Sequence, residues 1–100
     1  MSVASDGTVY PCHMLRKPEF ALGNAFTDSA LAVVDNLSQF TMPSVDEIEG
    51  CSSCENRYLC GGGCRARAYD ERGCMARRDP YCAYYGHAID QTVDAFVNKA

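Results

Sequence analysis

Seven cysteines in a chain of 100 residues are the feature of this sequence that could do chemistry. Four of them lie within fourteen residues, in the spacing Cys51-x2-Cys54-x5-Cys60-x3-Cys64, and Cys82 follows after seventeen intervening residues. A Cys-x2-Cys loop places two thiolates at the separation that one metal centre needs, whereas a disulfide between them closes a small ring found mainly in redox motifs. The spacing therefore favours a metal ion or an iron-sulfur cluster over disulfides.

The residues around these thiols fit an anionic centre. Gly61-Gly62-Gly63 removes three side chains between Cys60 and Cys64, where backbone N–H groups could approach sulfur atoms; a flexible turn is the alternative. Six of the nine basic residues lie between Arg57 and Arg78, and only two acidic residues oppose them there. Guanidinium groups would stabilise a four-thiolate cluster and raise its reduction potential, although a solvated helix face explains such a group equally well.

The elements that must position the thiols are one hairpin and several helices. Residues 1–12 predict a β-hairpin, residues 27–50 a helical segment, residues 51–82 the cluster-binding region and residues 80–98 a C-terminal helix. The expected fold class is α+β, in a single small domain that a metal or cluster stabilises.

Turns, caps and apolar faces can be assigned within this outline. Asp6-Gly7 predicts a type I′ turn, and a loop containing Gly23-Asn24 follows the hairpin. Thr27 or Asp28 is expected to cap the first helix, and Gly73 to end a short helix that begins near Arg65. Asp79-Pro80 predicts the start of the last helix, which places Cys82 in its first turn. The apolar faces are expected at Ala30, Leu31, Val34 and Leu37 in the first helix and at Tyr85, Ile89, Val93 and Phe96 in the last.

Length and composition exclude several classes of protein. One hundred residues are too few for a self-sufficient catalytic barrel, and a net charge of -4 with a pI near 4.9 gives no support to a nucleic-acid partner. The longest apolar run is too short to span a bilayer, and no signal segment opens the chain, so we expect a cytoplasmic protein with no membrane partner. No catalytic residue is predicted, because no paired carboxylates, Ser-His-Asp arrangement or phosphate-binding loop stands out.

A wider pattern resembles a known family. Asp6-Gly7-x4-Cys12, Leu22-Gly23-Asn24, the four-cysteine run with its three glycines and the lone Cys82 together resemble the SPASM domain, the C-terminal auxiliary-cluster domain of many radical S-adenosylmethionine enzymes. The resemblance covers residues 1 to about 85. It implies two auxiliary [4Fe-4S] clusters, with Cys51, Cys54, Cys60 and Cys82 as the complete ligand set of the second. Cys12 and Cys64 would supply half of the first cluster, whose other ligands would lie upstream of residue 1.

The resemblance also implies a function. The signature Cys-x3-Cys-x2-Cys of the S-adenosylmethionine cluster is absent, because Arg67 stands three positions after Cys64. The chain is therefore expected to be a C-terminal fragment, inactive alone, whose partner is the catalytic barrel of a radical S-adenosylmethionine enzyme. Such domains are expected to relay an electron or position a substrate, often a peptide or protein under modification.

Two alternatives remain open from the residues. A structural zinc-binding interaction module would use Cys51, Cys54, Cys60 and Cys64, and would not need Cys82. A secreted disulfide scaffold would leave one free thiol, because seven cysteines cannot all pair. Cys74 is expected to be a free thiol; with Cys12, Cys64 and His13 it could hold zinc as a substitute metal, although His13 is more typical of a surface residue.

Overall fold

The computed structural model describes residues 1–99, and the chain divides into two compact units. The first unit is Met1–Thr41 and the second unit begins at Met42. The expected α+β fold class is confirmed: a small antiparallel sheet comes first and helices follow it. Among residues 1–99, no helix is both long and apolar enough to cross a bilayer.

The sheet of the first unit has three short strands in the order β1-β2-β3. They are β1 (Ser2–Val3), β2 (Thr8–Tyr10) and β3 (Gly23–Asn24). Val9 in the central strand lies opposite Val3 on one side and Gly23 on the other. The predicted hairpin is thus confirmed, whereas the third strand was not predicted, because two residues after a loop carry too little alternation to indicate a strand.

The hairpin turn differs from the predicted type I′ turn. Gly7 donates its N–H to the carbonyl of Ala4 at 2.9 Å, and Ala4 donates to Thr8 at 2.9 Å, so the loop has three residues. Only glycines have positive φ among residues 1–99, and Gly7 has φ +90°. A type I′ turn needs positive φ at Asp6 as well, so the turn is instead a three-residue loop that ends on glycine.

Helix α1 (Ala30–Gln39) packs on this sheet through a face that shares only Leu37 with the predicted one. Val33 is buried with Val9 and Leu22, and Leu37 packs partly buried against them. Leu31 and Val34 of the predicted face are exposed, because the buried face of the helix is centred on Val33 instead. The cap also lies later than predicted: the Ser29 hydroxyl, not Thr27 or Asp28, accepts the Ala32 N–H at 3.2 Å.

The second unit is helical. Its elements are a 3₁₀ turn (Val45–Glu47), α2 (Arg57–Cys60), α3 (Arg65–Arg72) and α4 (Cys82–Lys99). Helix α3 ends at Gly73 with φ +71°, as predicted. Helix α4 starts two residues later than predicted, after Asp79 accepts the Tyr81 N–H at 2.8 Å.

The apolar stripe predicted for α4 is only partly covered. Tyr85 and Ile89 are half-buried, but Val93 and Phe96 are exposed, and no side chain of α4 within residues 1–99 is fully buried. Periodicity alone predicted a buried face along the whole helix. The second unit is too small to cover more than the first half of that face.

Candidate metal centre

Four cysteines of the second unit line one cavity of about 70 Å³, which we call the thiol cavity. They are Cys51, Cys54, Cys60 and Cys82. Cys51 is buried and the other three are half-buried. The cavity is several times larger than the ~15 Å³ that one water molecule requires in such a space. Its other lining residues are Gly50, Arg57, Gly62, Arg78, Asp79 and Tyr85.

Short backbone turns bring the four thiols to the cavity. Cys51 donates its N–H to the carbonyl of Ile48 at 3.0 Å, and Cys54 donates to Cys51 at 2.9 Å. Cys60 is the last residue of α2, and Cys82 is the first residue of α4. Because the positive end of a helix dipole lies at its N-terminus, Cys82 stands where a thiolate is stabilised.

The glycines between Cys60 and Cys64 allow a close approach of backbone and side chains. A Cβ at Gly62 would lie 2.6 Å from Cδ1 of Ile48, and a Cβ at Gly63 would lie 2.5 Å from Oδ2 of Asp79. Both glycines have positive φ, at +93° and +74°. A side chain at either position would therefore clash with a buried residue, which a merely flexible turn would not require. The side chains that occupy this room at Gly62 and Gly63 are those of Ile48 and Asp79.

Asp79 joins the glycine turn, α3 and α4. Its side chain is 2% exposed and accepts hydrogen bonds from the Cys64 N–H at 2.6 Å, the Tyr81 N–H at 2.8 Å and Nη2 of Arg67 at 2.9 Å. Burial acts to raise the pKa of the Asp79 carboxyl, but the bonds from Arg67 and the two N–H groups outweigh it and lower that pKa. Arg67 also donates to the hydroxyl of Tyr85, which lines the thiol cavity.

Two guanidinium groups beside the thiol cavity have unmet hydrogen-bonding capacity. The Arg65 side chain is 8% exposed and donates to the carbonyls of Gly62, Met75 and Arg77. Arg57 donates from Nη1 to the carbonyl of Cys54 at 2.7 Å. Among the half-buried and buried side chains of residues 1–99, only Nε of Arg57 and Nε of Arg65 are buried nitrogen or oxygen atoms without a hydrogen-bond partner. Nε of Arg57 lies 3.6 Å from Oδ1 of Asp46, so this guanidinium already has an anionic neighbour. Buried donors without acceptors are costly, and Nε of Arg65 is such a donor.

The thiols also influence one another. Burial raises the pKa of the Cys51 thiol, the nearby thiols of Cys82, Cys60 and Cys54 raise it further, and the charge of Arg65 opposes them. Cys51 is consequently protonated at neutral pH when no metal is bound. Coordination of Cys51 to an iron atom would replace that proton.

The residues around the thiol cavity fit a four-iron cluster. Four thiolates are the usual ligand set of a [4Fe-4S] cluster, and the cluster with its thiolates is anionic, which suits a cavity wall that contains Arg57 and Arg78. A single zinc ion needs a different geometry, because each of its thiolate sulfur atoms must lie about 2.3 Å from the one zinc ion. Within residues 1–99, no three side chains of His, Cys, Asp or Glu come together closely enough to hold one metal ion.

The other predicted site residues lie outside the thiol cavity. Cys12, in the first unit, accepts the Met14 N–H at its sulfur at 3.2 Å. Cys64 is half-buried at the start of α3, and Cys74 is exposed and accepts the Ala76 N–H at 3.4 Å. His13 is exposed, as expected of a surface residue. All seven cysteines lie in the described part of the chain and none forms a disulfide, so the structure does not have the predicted pattern of a disulfide scaffold.

Sequence reasoning missed the buried role of Arg65 and the cavity position of Tyr85. Arg65 follows Cys64 directly, and its sequence neighbours do not distinguish it from the exposed Arg72. Tyr85 was assigned to ordinary packing because of its helical spacing. A signal was available for Tyr85 alone, since it stands three residues after Cys82 and one helical turn brings it to the same face.

Comparisons with known proteins agree with the chemistry of this site. A family model described as an iron-sulfur cluster-binding domain, SPASM, matches residues 1–55. The chain is 37% identical over 84 residues to an AdoMet-dependent heme synthase of Methanosarcina barkeri, covering 82% of this chain and 23% of that protein. It is 29% identical over 100 residues to a cysteine-type anaerobic sulfatase-maturating enzyme of Clostridium perfringens, covering 98% of this chain and 27% of that protein.

A third relative is an uncharacterized protein of Archaeoglobus fulgidus, 34% identical over 85 residues, with 84% of this chain and 20% of that protein covered. The chain thus spans between 20% and 27% of the length of these relatives. No solved structure matches it. The family model covers more than half of the chain, and the chain belongs to the SPASM family of iron-sulfur cluster-binding domains.

Proposed function

We propose that the thiol cavity holds one [4Fe-4S] cluster, with Cys51, Cys54, Cys60 and Cys82 as its ligands. The observation that carries this proposal is that these four cysteines, separated by up to 31 positions in the sequence, line one cavity. Two arginines on the same cavity wall, Arg57 and Arg78, support a centre whose total charge with its thiolates is negative. When bound, the cluster supplies one-electron redox chemistry.

The protein's own side chains would hold and tune that centre. Cys82 binds at the positive end of α4, and Arg57 and Arg78 place guanidinium charge on the cavity wall. The Arg67–Asp79 ion pair fixes the turn that carries Gly63 and Cys64 and the residues that precede α4. Tyr85, held by Arg67, closes one side of the cavity against water.

At the level of the whole protein, we propose an auxiliary role in a longer radical S-adenosylmethionine enzyme. The domain would relay an electron between the cluster and a substrate radical, or position the substrate, which is expected to be a peptide or protein. The names of two relatives, a heme synthase and a sulfatase-maturating enzyme, support enzymes of this class. Cys12 and Cys64 would contribute half of the ligands of a further cluster. The expected partner is the catalytic barrel of the longer protein, and the exposed apolar side chains of Val93, Phe96 and Val97 on α4 are available for such a contact.

The proposal is tested by two cysteine substitutions that separate a cluster from a zinc site. The chain is expressed anaerobically with iron and sulfide, and iron, zinc, acid-labile sulfide and the visible spectrum are measured per chain. We expect about four iron and four sulfide with a broad charge-transfer band. Cys82→Ala is expected to abolish the cluster, and Cys64→Ala to retain it, because Cys64 does not line the thiol cavity.

A zinc-binding interaction module predicts the reverse pattern. It would bind one zinc through Cys51, Cys54, Cys60 and Cys64, so that Cys64→Ala would lose the metal and Cys82→Ala would keep it. Cys74→Ala serves as the matched control, since Cys74 is exposed and lies outside the cavity. Stoichiometric zinc without sulfide in the unmodified chain would overturn the cluster assignment.

A further inference from the structure

A second concavity, of about 320 Å³, opens on the second unit. Three arginines belong to its wall, and we call it the arginine pocket: Arg72, Arg77 and Arg78. The remaining lining residues are Glu49, Asp79, Pro80, Cys82 and Ala83. Three guanidinium groups around one pocket are unusual in a chain whose net charge is -4.

The arginine pocket adjoins the thiol cavity. Arg78, Asp79 and Cys82 line both spaces. Cys82 therefore stands between the interior of the thiol cavity and a pocket that opens to solvent. A group bound in the arginine pocket would lie next to one of the proposed cluster ligands.

The carboxylates of the pocket do not neutralise its arginines. Asp79 is already paired with Arg67, which is not part of the pocket wall. Glu49 lies 3.9 Å from Arg77, and both side chains are more than half exposed, so this pair is weak. Within residues 1–99, neither Arg72 nor Arg78 takes part in an ion pair.

The pocket is also shaped by fixed contacts. Nε of Arg72 donates to the carbonyl of Arg78 at 2.9 Å, which ties the end of α3 to the segment before α4. Pro80, Cys82 and Ala83 bring the N-terminus of the 18-residue helix α4 to the wall. Backbone N–H groups and the helix dipole there add positive potential to that of the guanidiniums.

We propose that the arginine pocket binds an oxyanion, the carboxylate or phosphate group of a small ligand, beside Cys82. Guanidinium groups recognise both anions through paired, charge-assisted hydrogen bonds. A volume of about 320 Å³ lies at the lower end of the range for small-molecule sites. The pocket is therefore large enough to hold a small ligand.

Binding there has a consequence that rests on the proposed function. Reduction adds negative charge to the cluster, and an anion next to Cys82 disfavours that charge. A bound oxyanion is therefore expected to lower the reduction potential of the cluster. The arginine pocket would make the redox chemistry sensitive to whether its ligand is present.

The experiment titrates the anaerobically reconstituted chain with succinate and, separately, with inorganic phosphate at constant ionic strength. Binding is followed by the backbone amide resonances of residues 72–83, and the reduction potential by optical titration. We expect saturable binding of at least one probe and a lower potential in its presence. Arg72→Gln and Arg77→Gln are each expected to weaken binding about tenfold, because each removes charge-assisted hydrogen bonds. Arg16→Gln removes the same charge from an exposed site in the first unit and is expected to leave binding unchanged.

The outcomes separate this proposal from the cluster assignment. Succinate and phosphate distinguish a carboxylate ligand from a phosphate ligand by which of them binds more tightly. Loss of affinity that is equal in Arg16→Gln and Arg72→Gln would overturn the site, because it would show only general charge attraction. If the chain takes up four iron atoms but binds neither probe, the cluster assignment stands and the oxyanion site is wrong. If the chain binds a probe at these residues but takes up no iron, the oxyanion site stands and the cluster assignment is wrong.

Discussion

The first unit and the second unit differ in the side chains that fill their interiors. Val9, Leu22 and Val33 form a small apolar core in the first unit. Among the described residues of the second unit, Ile48 alone is a large buried aliphatic residue, and the other buried side chains are smaller or charged: Cys51, Ala66, Ala68, Arg65 and Asp79. Alanine methyl groups contribute little burial energy compared with valine or leucine side chains.

The two interiors imply different sources of folding free energy for the two units. Apolar burial stabilises the first unit directly, since three aliphatic side chains from a sheet and its surroundings pack together. In the second unit, Arg65 and Asp79 are stabilising only while their hydrogen bonds are made, because a buried charge without partners is costly. Ligand binding to the four cysteines would then supply folding free energy that the interior does not.

Removing the cluster should produce the largest difference in stability between the two units. After anaerobic reconstitution, an iron chelator is expected to increase hydrogen exchange at the amides of α3 at least about a thousandfold, equivalent to about 4 kcal/mol of lost stabilisation. The amides of β2 in the first unit are expected to change far less, because their protection depends on the apolar core. Hydrogen exchange read by mass spectrometry or by resonance intensity measures both regions in one sample.

Equal loss of protection in both units would show that their stabilities are not distinct. Retained protection of α3 after complete loss of iron would mean that the polar contacts of Arg65 and Asp79 suffice to hold the second unit. Addition of iron and sulfide should restore the original exchange pattern, which controls for irreversible damage.

Substituting Asp79 should give the largest effect of a single residue outside the cysteines. Asp79→Asn removes the charge that pairs with Arg67 at 2.9 Å and leaves only one side-chain oxygen for three donors. Arg67 is one quarter exposed, so solvent reduces the effect. We expect a loss of about 3 kcal/mol in the free energy of unfolding, measured by denaturant titration of the reconstituted chain.

A matched change at an exposed carboxylate controls for net charge. Asp90→Asn on α4 is expected to alter the free energy of unfolding by less than about 0.5 kcal/mol. If the two variants lost equal stability, the buried contacts of Asp79 would not be the cause. The combination of Asp79→Asn with Arg67→Met is expected to recover part of the loss, because no buried charge is then left without its partner.

Elements marked by a turn or cap residue could be predicted from the sequence, whereas the buried faces were predicted only in part. Gly7 indicated the position of the hairpin turn, and Gly73 indicated the end of α3, because a positive φ at one residue is a local requirement that favours glycine. The face of α1 was misassigned because Val33 and Val34 are adjacent and equally apolar. Only the position of the sheet decides which of them is buried.

The candidate site was predictable to the extent that its chemistry is carried by residue type and spacing. The spacing predicted a metal or cluster site but left open whether Cys64 or Cys82 is the fourth ligand; the family resemblance implied Cys82, and Cys82 rather than Cys64 lines the cavity. The roles of Arg65 and Arg67 were not, because several arginines lie within the same segment and the tertiary fold alone buries some and exposes others. Buried charges depend on contacts across ten or more residues, which a sequence pattern does not encode.

Truncating one valine of the first unit should have a moderate effect confined to that unit. Val33→Ala removes two methyl groups from the core with Val9 and Leu22, and we expect a cost of about 2 kcal/mol. Val34→Ala, at a neighbouring position that is 53% exposed, is expected to cost less than about 0.5 kcal/mol. Unfolding of the first unit is followed by the amide resonances of β2. A larger loss of stability in Val34→Ala than in Val33→Ala would support the apolar face predicted from the sequence and contradict the observed packing.

The smallest predicted effect concerns the charge beside the thiol cavity. Arg57→Gln removes a guanidinium that lines the cavity and whose Nε lies 3.6 Å from the exposed carboxylate of Asp46. Without that charge the reduced cluster is less stable, so the reduction potential is expected to fall by about 60 mV, equivalent to a tenfold change in a one-electron equilibrium. Arg57→Lys keeps the charge and should recover most of the potential, with iron content as the control for cluster assembly. A potential that is equally low in both variants would assign the effect to the hydrogen bond between Arg57 and the carbonyl of Cys54. In that case the second unit would depend on its polar contacts for redox tuning as well as for folding.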